Sequence, residues 1–332
     1  MKTFALFGAG RIGRIHAANI QADPRARLKY VVDVAADAAG KIAAFTGALH
    51  VDRATALADR EVDALVIASP TDTHADLIES GAAAGKAMLC EKPVDLDAAR
   101  ARQCVAAANR AGVLLAIGFN RRYDPSFRRV KDGIDAGAIG DVETVLIVSR
   151  DPAPPPVAYV ARSGGMFRDM SIHDFDMARW LLGEEPAEIV AHGSCLVDPA
   201  IGAAGDIDTA AVTLRTTAGR LCQIVNSRRA TFGYDQRIEV CGARGMLRAG
   251  NRRSTSVEHA DGNGFCRDPA LPFFLARYAD AYRLELDAFL RRLHGEAAEI
   301  VSGADGIRAL ELADAADRSM RTASIVTLGT TA

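Results

Sequence analysis

The chain has 332 residues, 49% apolar and 25% charged, with 40 Lys and Arg against 42 Asp and Glu. This is the composition of a soluble globular protein, long enough for two domains. The near-balanced charge carries no basic stripe, which argues against nucleic acid and anionic membrane as partners, and no apolar stretch approaches membrane-spanning length.

The first apolar run, "TFALFG", ends in glycines and reads as a strand rather than a signal peptide. "KYVVDV", "DALVIAS", "AMLCEKP" and "LLAIGF" continue the series. All are apolar on both faces, as parallel strands buried under helices should be. Between them lie alanine-rich amphipathic segments such as "DLDAARARQCVAAANRAG", with Gly112 placed as a C-terminal cap. This alternation predicts a Rossmann-type, doubly wound parallel sheet of the α/β class.

The pattern changes near residue 121, so domains of 1–121 and 122–332 are expected. A helix around "PSFRRVKDGIDAG", the strand "DVETVLIVSR" and a proline-rich loop "DPAPPP" come first. The spacing then predicts a helix over 167–180, "FRDMSIHDFDMARW". The pairs "DTAAVTLRT"/"RLCQIVNSRR" and "RIEVCG"/"GMLRAG" read as hairpins, so the second domain is expected to be α+β with an open, largely antiparallel sheet. Two helices, near 273–294 and 304–322, close the chain. Six scattered cysteines form no CxxC pair, which fits reduced cytoplasmic thiols better than disulfides or zinc.

Three places carry chemistry. "GAGRIG" supplies Gly8, Gly10 and Gly13, with Arg11 and Ile12 between them, after a strand and before a helix. That context suits a dinucleotide pyrophosphate on backbone N–H groups. Asp33 follows Gly13 by twenty residues, at the end of the next strand, with no arginine beside it. A carboxylate there accepts ribose hydroxyls and repels a 2′-phosphate, so NAD is expected over NADP. Ser69, Pro70 and Thr71 form a loop at the same sheet edge, and His74 is either a cofactor contact or an ordinary first-turn residue. Glu91 and Lys92 end another strand, where the lysine is either a donor to substrate or simply solvated. In the second domain, Asp169, His173 and Asp176 share one face of an α-helix, with Asp174 off that face. These are also metal-ligand types, but no further His–Asp cluster completes a set, and no metal is expected.

The glycine loop, "SPTDTH", "EKP" and "GFNRRYDP", in that order, resemble the glucose-fructose oxidoreductase/inositol dehydrogenase (Gfo/Idh/MocA) superfamily over nearly the whole chain. "SRDPAPPP", "SGGMFRDMSIHDFDMARWLLGE" and "NSRRATFGYDQRIEV" are most similar to its bacterial inositol 2-dehydrogenases. The resemblance implies a catalytic set of Lys92, Asp169 and His173, with His173 as base, Asp169 orienting the polyol and Lys92 steadying the developing carbonyl oxygen. It implies a sugar pocket that also includes Asn120, Arg121, Asp151, Asp176 and Tyr234. The implied reaction is oxidation of a cyclic polyol, foremost myo-inositol, by NAD, in a cytoplasmic homotetramer. Other inositols, aldoses or anhydrosugars, or a non-catalytic NAD sensor, are the alternatives.

Overall fold

The structure, a computed structural model, describes residues 1–160 and 162–329. Two compact units divide it: Met1–Asn120 with Ala281–Leu310, and Arg121–Asp280 with Glu311–Ala332.

The first unit is built on six strands, β1 (Lys2–Phe7), β2 (Ala26–Val32), β3 (Leu49–His50), β4 (Ala64–Ile67), β5 (Ala87–Glu91) and β6 (Leu115–Gly118). They pair in the order β3-β2-β1-β4-β5-β6, every pair parallel. β4 and β6 are buried throughout, as the two-sided apolar runs predict. The helix Ala98–Ala111 starts where the Asp97 carboxylate accepts the Arg100 N–H and stops at Gly112, whose φ of 66° is the left-handed conformation glycine adopts at no steric cost. The chain returns late to this unit. Leu286, Phe289 and Leu290 of the helix Ala279–Leu293 sit in one core cluster with Phe4, Leu6, Ile20 and Val31, and the rings of Phe4 and Phe289 lie 6.3 Å apart.

The second unit holds a seven-stranded sheet. Its strands are β7 (Val142–Arg150), β8 (Pro186–Ser194), β9 (Thr209–Thr216), β10 (Leu221–Ser227), β11 (Asp235–Gly242), β12 (Gly245–Ala249) and, after a small separate hairpin of β13 (Glu258–Asp261) and β14 (Gly264–Arg267), β15 (Val326–Thr327). The order is β12-β11-β7-β10-β9-β8-β15; only β7 and β10 pair in parallel. In β9, Ala210, Val212 and Leu214 are buried and Ala211, Thr213 and Arg215 exposed, the alternation of a sheet covered on one face. The helix Ile172–Leu182 covers β7 and β10 on the inner face. The segment before it differs from the expected α-helix: Phe167–Ser171 is a π-helical turn.

Several buried charges in this unit are paired. Asp124 is fully buried, caps the helix Pro125–Asp135 by accepting the Ser126 and Phe127 N–H groups at 3.1 Å, and binds the guanidinium of Arg277, which is 1% exposed. Asp124→Ala removes the cap and strands a buried cation, so urea unfolding should register a loss of about 3–5 kcal/mol. A loss below about 1 kcal/mol would mean that Arg277 finds another partner.

Candidate active site

The glycine loop leaves β1 under tight steric control. Gly8 has φ 99°, and a Cβ there would lie 2.5 Å from the backbone of Ala68 and Ser69. A Cβ on Gly13 would fall 1.9 Å from the Gly8 carbonyl oxygen. These two glycines are required by the protein's own packing. Gly10 is different: it is exposed, and a Cβ on it would meet nothing within 4 Å. Its small size answers no internal contact and suits the close approach of a ligand. The helix Arg11–Ala22 begins at Gly10 with no side-chain cap, so the N–H groups of its first turn face outward beside that opening. Arg11 is exposed and Ile12 half-buried there.

Asp33 ties the second strand's end to this loop. One carboxylate oxygen accepts the Ala9 N–H at 2.6 Å and the other the Ala35 N–H at 2.7 Å. The Ser69-Pro70-Thr71 loop is locked by a 2.6 Å bond between the Ser69 and Thr73 hydroxyls. His74 is buried, with Nδ1 2.8 Å from the Pro93 carbonyl and Nε2 2.9 Å from the Ser69 carbonyl. It is a strut between the third loop of the edge and the strand end that carries Lys92. Glu91 is buried and its Oε1 lies 2.7 Å from His16 Nε2; Lys92 is half-buried and its peptide bond to Pro93 is cis. Asn120 is buried just beyond β6.

In the second unit a π turn runs into the helix that carries the acidic residues: Asp169 lies in the turn, and His173 and Asp176 lie in the α-helix that follows it. Asp169 accepts the Tyr159 hydroxyl at 2.8 Å and the Arg228 guanidinium at 3.3 Å. Asp176 is fully buried and held by Arg122 at 2.8 Å through Nε. Asp174 is buried in a bonded network: Arg121 and Asn226 donate to it, the latter at 2.7 Å, and so does the Ser149 hydroxyl at 2.6 Å. Arg121 also stacks over the Tyr278 ring at 5.7 Å. His173 is half-buried at the start of the α-helical part.

Asp151, just past β7, is half-buried, and burial pushes its carboxyl up to about 6. The Arg228 charge opposes the rise and the Asp169 charge adds to it. Tyr234 is buried, its ring edge-on to Tyr278 at 6.0 Å, and burial raises its phenol well above the ordinary value. Sequence reasoning had no signal for Arg228, Tyr159, Ser149 or Asn226, each distant in sequence from the aspartate it serves, and it set Asp174 aside because it lies off the α-helical face. Among the described residues, the one trio of ligand-type side chains whose atoms converge within 4.8 Å is His16, Glu91 and Glu285, in the first unit.

With the geometry placed, comparisons identify the relatives. Residues 2–119 match the family model described as "Oxidoreductase family, NAD-binding Rossmann fold", and residues 131–328 match "Oxidoreductase family, C-terminal alpha/beta domain". The chain is 52% identical to the inositol 2-dehydrogenase of Rhizobium meliloti (strain 1021), covering 96% of each chain. It is 44% identical to the myo-inositol 2-dehydrogenase of Thermotoga maritima, covering 95% of each. The crystal structure of scyllo-inositol dehydrogenase from Lactobacillus casei with NAD(H) and scyllo-inositol superposes with a TM-score of 0.90 at 29% identity, covering 98% of this chain and 99% of that one. The open side of Gly10, the uncapped helix start and the Asp33 carboxylate fit the NAD that the family binds. Among the described residues, no helix is long and apolar enough to cross a membrane.

The Asp151 carboxyl makes a signed prediction. Its value is raised from 3.8 to about 6, so the fold favours the protonated form. The stability it contributes is complete below about 3.8 and lost as pH rises through about 6. Asp151→Asn should therefore raise Tm relative to the unaltered protein at neutral pH and lose that advantage near pH 4, followed by thermal unfolding across pH. An advantage that is independent of pH would show that the carboxyl does not titrate in this range.

Proposed function

As the chain belongs to the Gfo/Idh/MocA oxidoreductase family, we propose that it oxidises the 2-hydroxyl of myo-inositol to the 2-keto product by hydride transfer to NAD. The observation that carries this reading is the 52% identity over 96% of the chain to an inositol 2-dehydrogenase, to which the chain adds Lys92, Asp169 and His173, the set that its motif resemblance implies.

Bound NAD supplies the hydride acceptor. His173 takes the proton of the reacting hydroxyl, a task suited to imidazole at neutral pH. The Lys92 ammonium steadies the oxygen as it becomes a carbonyl. Asp169 accepts hydrogen bonds from neighbouring ring hydroxyls, and its orientation is fixed in advance by Tyr159 and Arg228. Asn120, Asp151 and Tyr234 are assigned to the polyol pocket. Arg121 and Asp176 serve it through their buried partners, Asp174 and Arg122. On the cofactor side, Gly8, Gly10, Arg11, Ile12 and Gly13 take the pyrophosphate, Asp33 the ribose, and Ser69, Pro70, Thr71, His74 and Glu91 shape the edge beyond it.

The protein is further proposed to work as a cytoplasmic homotetramer. Supporting this, the outer face of the second sheet carries an unbroken cross-strand row of Leu221, Thr144, Cys241 and Met246, with Leu221 and Met246 exposed. A row of this kind, apolar at Leu221, Cys241 and Met246 with one threonine among them, is what a copy of the same sheet would cover.

Reduced nicotinamide should accumulate, followed by absorbance, when myo-inositol is added to protein and NAD. A panel with scyllo- and chiro-inositol, glucose and an anhydrosugar, run with NAD and NADP in parallel, ranks the substrates; silence across it sinks the dehydrogenase assignment. The relationship to a scyllo-inositol enzyme makes that isomer the second substrate to try. His173→Ala should lower kcat roughly a hundredfold or more, and near-normal turnover would take the base role from His173.

A further inference from the structure

Glu285 has no part in that reading, yet it is a buried carboxyl group with neither oxygen hydrogen-bonded. It lies on the helix Ala279–Leu293 and is 1% exposed. A Glu285 oxygen, a Glu91 oxygen and a His16 ring nitrogen all lie within 4.8 Å of one another. One turn earlier on the same helix, Tyr282 sets its ring edge-on to His16, with centroids 5.7 Å apart. Glu91 is wedged from its other side: a Cβ on Gly118 would come 3.0 Å from its carboxyl group. Three elements, the helix Arg11–Ala22, the end of β5 and the helix Ala279–Leu293, therefore meet on two carboxyl groups, and the first residue past β5 is Lys92.

The chemistry of the trio is constrained. Two carboxylates cannot both stay ionised at this separation away from water. The imidazole of His16 supplies at most one balancing charge, and it is already bonded to Glu91. The remaining group must keep its proton. Burial pushes the Glu285 carboxyl well above the ordinary range, and the charge of Glu91 acts in the same direction. A bridging cation is the other way to satisfy two carboxylates, but it would have to displace the 2.7 Å bond between His16 and Glu91 to gain a third ligand.

We propose that Glu285 is a positioning residue that holds a proton at neutral pH and donates it to Glu91, so that this shared proton and the His16 bond together fix the strand end from which Lys92 projects. An oxygen of each carboxyl group lies within 4.8 Å of the other, and the broad terminal torsion of a glutamate leaves both groups free to turn toward one another. The effect on turnover rests on the assignment of Lys92 to catalysis; the protonation of Glu285 does not.

Infrared spectroscopy separates the two. At mildly alkaline pH nearly every surface carboxyl is ionised, so a protonated-carboxyl band should stand out in the unaltered protein and vanish in Glu285→Gln. No such band, or one that persists in Glu285→Gln, overturns the proposal. Glu285→Gln, which keeps a donor of the same shape, should retain most of kcat. Glu285→Ala should lose roughly ten- to a hundredfold in kcat with KM for NAD little changed. Equal losses in both variants, or no loss in Glu285→Ala, overturn the positioning role. A stoichiometric divalent metal retained by the unaltered protein and absent from Glu285→Gln overturns it in favour of a cation site. Lys92→Ala serves as control: normal turnover there removes the lysine from catalysis and leaves the infrared result standing.

Discussion

The register of the parallel sheet is the constraint on which the cofactor half depends. Val32, Phe7, Ile67, Cys90 and Ile117 are paired in one row across β2, β1, β4, β5 and β6. The residues that follow each of them, Asp33, Gly8, Ala68, Glu91 and Gly118, therefore emerge together at the carboxyl edge, where ligands of such sheets bind. A slip of one residue in any strand would turn its side chains to the opposite face and misplace its loop by more than 3 Å. The loops then brace one another. Gly8 touches the backbone of Ala68 and Ser69, Asp33 accepts the Ala9 N–H, and His74 spans the Ser69 and Pro93 carbonyls. Each such bond is worth only about 1 kcal/mol in stability. Their value is geometric, since they fix four separate loops relative to one another.

The second unit meets a different constraint: it buries charge. Arg121, Arg228 and Arg277 are each nearly or fully buried, and each faces an aspartate. Apolar residues of similar volume often hold a fold as well or better than such pairs. The pairs therefore say little about stability and more about purpose. Arg228 and Tyr159 hold the Asp169 carboxylate in place, and under the proposed function this orients beforehand the lone pairs that would receive ring hydroxyls. Asp151, beside them, has its carboxyl raised by burial, and the Arg228 charge opposes that rise only in part.

Much of this was legible in the chain itself, for definite reasons. The parallel strands announce themselves because burial on both faces leaves uninterrupted apolar runs, and the hairpin strands because burial on one face forces alternation. The glycine loop is legible because sterics at Gly8 and Gly13 admit no other residue. What was not legible depends on contacts distant in sequence or on departures from ideal geometry. The return of Leu286 and Phe289 to the first unit is invisible to local pattern, since an amphipathic helix does not say which core it covers. Arg228 is one of several arginines in "NSRR" and "SRD", and only the fold tells which is buried. His74 could be weighed as ligand or helix residue, whereas its use as a strut between two carbonyls required the third dimension.

The segment around His173 shows what a spacing argument leaves out. Helical spacing puts Asp169, His173 and Asp176 on one stripe and turns Asp174 away, but it says nothing of their partners. In the fold each aspartate has its own arginine: Asp169 with Arg228, Asp174 with Arg121, Asp176 with Arg122. An acidic run becomes three compensated pairs. Under the proposed function this matters for a neutral polyol, because a net negative site would favour cations over sugars, while paired carboxylates keep their capacity to accept hydrogen bonds without presenting uncompensated charge. It also assigns Asp174 a purpose. By holding Arg121, Ser149 and Asn226 in one network, it anchors the helix that begins at Ile172 to β7 and β10, and the position of His173 follows from that anchor rather than from helical spacing alone.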